Sequence, residues 1–180
     1  VEDPLREEAA DAVRELKEAG ITKVVMMTGD SERTAAAIAK RVGVDEYYSE
    51  VLPEDKASFV EKEKKLGHKV IMIGDGINDS LALSSASVGI AISDGAAIAR
   101  EIADVTISAD NLHEIVTLKR LSTALMKRIH NNYRTIIGVN GGLIALGVTG
   151  VIMPTTSALL HNLSTLTISL RSMRNLLPKE

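Results

Sequence analysis

Apolar positions along the chain alternate between helical stripes and short runs. From Leu5 to Ala19 they recur at Ala9, Ala12, Val13, Leu16 and Ala19, the spacing of one helical face, with Pro4 suited to a first turn and Gly20 to a stop. Lys23-Val24-Val25-Met26-Met27-Thr28 reads as a strand, and Gly29-Asp30 turns it into a helix carrying Ala35, Ile38, Ala39 and Val42 up to Gly43. A third helix follows Pro53 and runs to Leu66-Gly67. Lys69-Val70-Ile71-Met72 is then a short apolar run, the mark of a buried parallel strand, that leads into Ile73-Gly74. Ser87 to Ile92 and Val105 to Ser108 are further apolar runs, with Gly95 to Ala103 as a helical link. Strands alternating with helices predict an α/β fold with a mostly parallel sheet and right-handed crossovers.

The pattern changes after Asn111. Leu112 to Arg134 reads as one long helix with Lys119, Arg120, Lys127, Arg128, His130 and Arg134 along it, and Ile136 to Met153 follows without a charge. Alone, so short a stretch is also what a buried core helix looks like. Pro154 and a second uncharged run, Thr155 to Leu170, turn the pair into a candidate membrane hairpin. Cations flank it at Arg134 on one side and at Arg171, Arg174 and Lys179 on the other, and the turn has none, so the positive-inside bias predicts both ends on the cytoplasmic face. Gly138 and Gly142 form a small-x-x-x-small pair, and Gly141, Gly147 and Gly150 add further sites for close helix packing. The second run is polar for a span. His161, Ser164 and Thr165 share a face, and with Asn140 from the first run they are candidates for a metal pathway, the alternative being hydrogen bonds between helices.

Charge sharpens this division. Residues 1–118 carry 13 Lys and Arg against 23 Asp and Glu, while residues 119–180 carry 8 against 1, so the two parts suit different surroundings. A basic tail without an aromatic platform argues against nucleic acid and for a lipid bilayer. No cysteine is present, which excludes disulfides and thiolate metal sites. Val1-Glu2-Asp3-Pro4 has neither the basic start nor the apolar run of a signal peptide.

The chemistry concentrates in Gly74-Asp75-Gly76-Ile77-Asn78-Asp79. Two glycines allow a sharp turn at the carboxyl end of a strand, where open α/β sheets bind ligands. Asp75 and Asp79, with Asn78 beside them, offer oxygens to one hard cation, most naturally Mg²⁺. A plain Asp/Gly/Asn turn is the alternative for a lone Gly-Asp-Gly. Thr28-Gly29-Asp30 supplies a hydroxyl and backbone N–H groups at another strand end next to a helix amino terminus, a favoured place for phosphate. Lys56 stands in the first turn of its helix, against the dipole, which a nearby anion would explain and simple solvation would also allow.

Taken in order, Thr28-Gly29-Asp30 with Thr34-Ala35 and Ile38-Ala39, Pro53-Glu54-Asp55-Lys56, and Gly74 to Asp79 resemble the carboxyl-terminal half of the phosphorylation domain of a P-type ATPase. Asp3-Pro4-Leu5-Arg6 is similar to the family's segment re-entering that domain, and the paired runs are similar to the last two membrane helices of the heavy-metal-transporting subgroup. The resemblance implies a partial haloacid-dehalogenase-like, Rossmann-type parallel sheet over residues 1–111, a basic connecting helix over 112–134, and a transmembrane hairpin over 135–176, with helices near 136–153 and 156–174.

It also implies roles. Thr28 and Gly29 would contact the phosphoryl group, Lys56 would neutralise it, and Asp30 would face the nucleotide. Asp75 would ligate Mg²⁺, and Asn78 and Asp79 would hold the metal and phosphate site together. The implied protein is an ATP-driven, multi-pass pump for a transition-metal cation, with its phosphorylation domain in the cytoplasm.

The family's nucleophile lies in an Asp-Lys-Thr-Gly-Thr motif that this sequence lacks, its only Asp-Lys being Asp55-Lys56. The expectation is therefore a fragment, inactive alone, whose partner is the missing amino-terminal part of the same pump. His161-Asn162-Leu163-Ser164-Thr165 leaves the metal open, being nearer a His-Glu-Gly-Ser-Thr-like pattern than the Met-Ser pattern of copper pumps or the Asp pattern of zinc pumps. Two other readings stand beside it: a soluble phosphatase of the same superfamily, and a non-catalytic regulatory fragment.

Overall fold

A computed structural model describes residues 8–74, 77–92, 101–107 and 112–176, with the side chain of Ile77 left aside. In order they form α1 (Ala9–Glu18), β1 (Val25–Met27), α2 (Glu32–Val42), β2 (Glu46–Tyr48), α3 (Pro53–Lys65), β3 (Ile71–Gly74), a 3₁₀ turn (Ile77–Asp79), α4 (Ser80–Ser85), β4 (Val88–Ile92), β5 (Val105–Ile107), α5 (His113–Val148) and α6 (Pro154–Ser172). The segments Asp3 to Arg6, Asp75-Gly76, most of the predicted link Gly95 to Ala103, and Lys179 lie outside the described residues.

Among the described residues every strand pairing is parallel, as the alternation predicts. The strands form two ladders, β1–β2 and β3–β4–β5, so that β1 and β3 each end a ladder. Register runs Val25 to Glu46 in the first, and Ile71 to Val88 and Ile90 to Val105 in the second. The core lies on the α3–α4 side, where Ala57, Val60 and Ala82 pack with Val70 and Met72, and Leu83 packs with Ala91 and Met72. Met72 points into this core. Its neighbours on the opposite face of the strand, Ile71 and Ile73, are 40 % and 36 % exposed, an unusual state for a parallel strand.

Strand β2 is absent from the sequence reading because its apolar signal is absent: Glu46, Tyr47 and Tyr48 are all exposed. Polar ties hold it. Asp45 accepts from the Val24 N–H at 2.7 Å and from Lys17 Nζ at 2.7 Å, and Lys23 pairs with Glu46 at 2.9 Å. The Tyr48 ring packs on Phe59 with centroids 5.3 Å apart. Lys17 lowers the pKa of Asp45, as Lys23 does for Glu46, while hydrogen bonds from Ser49 and Tyr47 lower that of Glu32.

The chain divides into two compact units, Val1–Thr117 and Leu118–Glu180. In the second, α5 and α6 are joined by a turn in which Gly150 takes φ +74°. Two expectations are corrected here. The predicted break between a connecting helix ending at 134 and a span starting at 136 does not exist, because nothing in Arg134-Thr135-Ile136 stops a helix and α5 runs through. The helix instead stops at Val148, so the uncharged stretch 136–153 is helical only to 148, short of the roughly 20 residues a span needs. Among the described residues no helix is long and apolar enough to cross a membrane. A Cβ added at Gly138, Gly141, Gly142 or Gly147 would meet nothing within 4 Å, so the described residues supply no packing partner for these glycines.

Candidate phosphoryl-binding site and its relatives

Three loops converge at the carboxyl ends of β1 and β3. The first follows β1. Thr28 extends the pairing, its N–H donating to Tyr48 O at 3.0 Å and its carbonyl accepting from Val51 N at 3.0 Å. The Thr28 hydroxyl donates to Asp30 Oδ2 at 2.7 Å and accepts from the Asp30 N–H at 3.1 Å, a closed turn ahead of α2. Gly29 lies over Val51, whose carbonyl oxygen would be 3.9 Å from a Cβ at that position. The loop therefore rests on the segment that enters α3.

The second loop is that entry. Leu52 is the N-cap, and its N–H is satisfied by Asp55 Oδ2 at 3.1 Å, half of a capping box, with Pro53 at the first helical position. This sets the first turn of α3 and so the direction of Lys56. Its ammonium donates to Asp79 Oδ1 at 2.7 Å, with both side chains largely shielded from solvent. Asp79 is the one charged residue buried among those described, 7 % exposed, and such a carboxylate requires a cation.

The third loop explains where Asp79 sits. The 3₁₀ turn folds it back over the end of β3, where a Cβ on Gly74 would lie 2.6 Å from the Asp79 Cβ and 2.7 Å from Oδ2. Only glycine fits there. Asn78 is exposed on the same turn. Asp75 lies outside the described residues, and among the described ones no group of three or more His, Asp or Glu side chains forms a metal site.

Thus Lys56 and Asp79 meet directly, and Thr28 and Gly29 abut the approach to Lys56. Gly74 matters through contact as well as through its turn. Sequence reasoning missed Asp104, which brackets Gly89 from both sides, Oδ2 accepting from Gly89 N at 2.8 Å and its own N–H donating to Gly89 O at 2.9 Å.

In the second unit, His161 Nδ1 and Asn140 Oδ1 are 2.8 Å apart, so these two of the four pathway candidates come together. Ser164 and Thr165 do not join them. Both hydroxyls turn back onto the His161 carbonyl, at 2.8 and 3.1 Å, the usual resting place for such side chains in a helix.

A family model described as haloacid dehalogenase-like hydrolase matches residues 1–87. A zinc-exporting P-type ATPase of Mycobacterium marinum is 38 % identical over 96 % of this chain and 24 % of its own length. A copper-exporting P-type ATPase of Bacillus subtilis is 38 % identical over 97 % of this chain and 22 % of its own. Among solved structures, a zinc-transporting PIB-type ATPase in the E2·Pi state superposes with a TM-score of 0.89 at 34 % identity, covering 98 % of this chain and 28 % of that one. The chain thus spans about a quarter of the length of the relatives it matches. With parallel ladders and a Lys–Asp pair at the strand ends, the chain is similar over residues 1–87 to haloacid dehalogenase-like hydrolases and along nearly its whole length to part of the heavy-metal P-type ATPases.

Proposed function

We propose that these residues are the carboxyl-terminal part of an ATP-driven heavy-metal cation pump. In this reading they supply phosphoryl- and Mg²⁺-binding groups for the formation and hydrolysis of an aspartyl phosphate whose nucleophile lies in the part of the relatives' length not covered here. The observation that carries it is the shielded Lys56–Asp79 pair at the ends of parallel strands, next to the Thr28-Gly29 turn. A phosphoryl site needs donors and a cation held ready in a low-dielectric place, and an ammonium parked on a carboxylate is such a cation. On arrival of the phosphoryl group, Lys56 turns its charge to the equatorial oxygens, Thr28 and the Gly29 N–H donate to them, and Asp30 faces the nucleotide.

The donor set fits a hard cation in kind, being carboxylate and amide oxygens only. Asp79 Oδ1 is engaged by Lys56 and its other oxygen lies over Gly74, so Asp75 would hold Mg²⁺ foremost, with Asp79 and Asn78 around it. When bound, the ion supplies charge neutralisation for phosphoryl transfer.

The two ladders support the same reading. Among the described residues β1 and β3 each pair along one edge only, and Ile71 and Ile73 are exposed, as a sheet lacking a strand would leave them. In the second unit, exposed Ile137, Ile144, Leu159, Leu163 and Leu166 suit helices that pack among other helices of the pump, with the phosphorylation unit in the cytoplasm. Asn140 and His161 then contribute to the pathway of a transition-metal cation, with Ser164 and Thr165 alongside.

Co-expression with the amino-terminal part of a relative should restore metal-stimulated ATP hydrolysis, and Asp75→Asn or Lys56→Ala should abolish phosphoenzyme formation. A restored pump indifferent to both changes would overturn the proposal.

A further inference from the structure

Two sets of polar contacts hold α5 against α6, some distance apart. At the far end from the turn, Arg128 donates through Nη1 to the carbonyls of Ser172 (2.9 Å) and Arg174, and through Nη2 to Asn175 (2.9 Å). Ser172 is the last residue of α6, where carbonyls lack helical partners and carry the negative end of the dipole, and Arg174 and Asn175 follow its C-cap, Met173, so Arg128 gathers the chain as it leaves the helix. One turn along, Asn132 Nδ2 donates to Ser172 Oγ at 2.7 Å. Nearer the turn, Asn140 Oδ1 meets His161 Nδ1 at 2.8 Å.

These contacts express one register. From Arg128 to Asn140 the chain advances about as many residues along α5 as it retreats along α6 from Ser172 to His161, roughly 17 Å in each helix at ~1.5 Å per residue. Val148 and Pro154 close the same antiparallel pairing at the turn. Packing does little to secure it. No described residue after Val116 is buried, and the α5 glycines face open space. A slip of one residue at the Arg128 end would rotate α6 by about 100° and carry the imidazole away from Asn140.

The pairing also decides the chemistry of the ring. With the Asn140 amide oxygen turned to the ring it can only accept, so in this arrangement a neutral His161 donates Nδ1–H and keeps its lone pair on Nε2. The pair lines an open groove of about 660 Å³ together with Ile144, Gly147, Ile152 and Ser157.

We propose that Arg128 is a positioning residue for the Asn140–His161 pair: by tying the carboxyl end of α6 to α5 it sets the register in which His161 donates Nδ1–H and keeps Nε2 as the ligating atom for a transition-metal cation. The metal part of this statement rests on the pathway proposed above, and the register part does not.

The test is the His161 tautomer, read from long-range ¹H–¹⁵N spectra of the full chain in detergent at a pH above the imidazole range, with His161→Gln to assign the signal. The native chain should show Nδ1–H. Arg128→Ala should return His161 to the Nε2–H form that free imidazoles favour, leaving helical circular dichroism and the His68 signal unchanged, and Arg128→Lys should restore part of the native form. Asn140→Leu should give the same switch and serves as the positive control. An Nδ1–H signal that survives in Arg128→Ala overturns the register role. Should that variant not fold, Arg128→Gln is read in the same way with the same two outcomes. Titration with Zn²⁺ separates the second half: His161 should respond in the native chain and at least fivefold more weakly in Arg128→Ala. A native chain that holds the tautomer yet ignores Zn²⁺ sinks the metal role and leaves the register role standing.

Discussion

The glycines of the two units look alike in the sequence and do different work. In the first unit, Gly74 and Gly89 sit where a single added carbon would lie 2.6 Å from the Asp79 Cβ and 2.7 Å from the Leu83 carbonyl oxygen. In the second, the glycines of α5 border nothing within 4 Å. Burial divides the same way: Leu83, Ile90, Val60 and Val116 are fully enclosed in the first unit, whereas the described residues of the second include none that is buried. A phosphoryl site needs groups held to within a fraction of an ångström, and close packing supplies that. A helical hairpin with its apolar side chains uncovered depends instead on a few polar ties, and substitutions there should be felt locally.

The largest expected difference lies in the cores. Leu83→Ala, at a residue 1 % exposed, should cost about 3 kcal/mol in urea unfolding followed by tyrosine fluorescence, while Leu163→Ala should stay within about 0.5 kcal/mol. Equal losses would erase the contrast. Next comes the ion pair. Lys56→Ala strands the Asp79 carboxylate and should destabilise the first unit by about 3 kcal/mol, and the apolar double variant Lys56→Met, Asp79→Leu should recover much of that. If the double variant is as weak as the single one, the loss comes from packing and not from charge.

Smaller again is the glycine test. Gly89→Ala should cost about 2 kcal/mol by forcing β4 away from α4, whereas Gly142→Ala should leave stability unchanged or raise it by up to about 1 kcal/mol through helix propensity. The smallest effect concerns pH. Lys17 and the Val24 N–H hold the Asp45 carboxyl below the usual carboxylate range. A folded-state pKa that is lowered contributes stability above the unfolded value, and this is lost as pH falls through the folded one. From neutral pH into the acid range, the native chain should therefore lose more of its urea midpoint than Asp45→Asn does. Parallel acid limbs would show that the tie at the start of β2 contributes nothing.

Much of the first unit was legible because local rules agree there with the final packing. Gly20, Gly43 and Gly67 end their helices with positive φ, Pro53 opens α3, and the apolar runs became parallel strands. Thr28, Lys56 and Asp79 were singled out by their places at strand ends and in a helix's first turn, and the structure brings Lys56 to Asp79. β2 could not, since a strand held at its ends by Asp45, Glu46 and their cations shows no alternation of apolar and polar positions. The end of α5 was misplaced for a related reason: absence of charge says where a helix is apolar, while the turn at Gly150 says where it stops.

The sequence by itself determined the alternation of helices with parallel strands, β2 apart, and the candidate chemistry in the loops beside them, because each depends on neighbours within a few residues. Only the tertiary structure decided that Lys56 closes on Asp79, that Gly74 and Gly89 admit no side chain, and that Arg128 reaches the end of a helix more than forty residues away. Those are contacts between segments whose separation along the chain carries no periodic signal, and their energies exist only once the chain has brought them together.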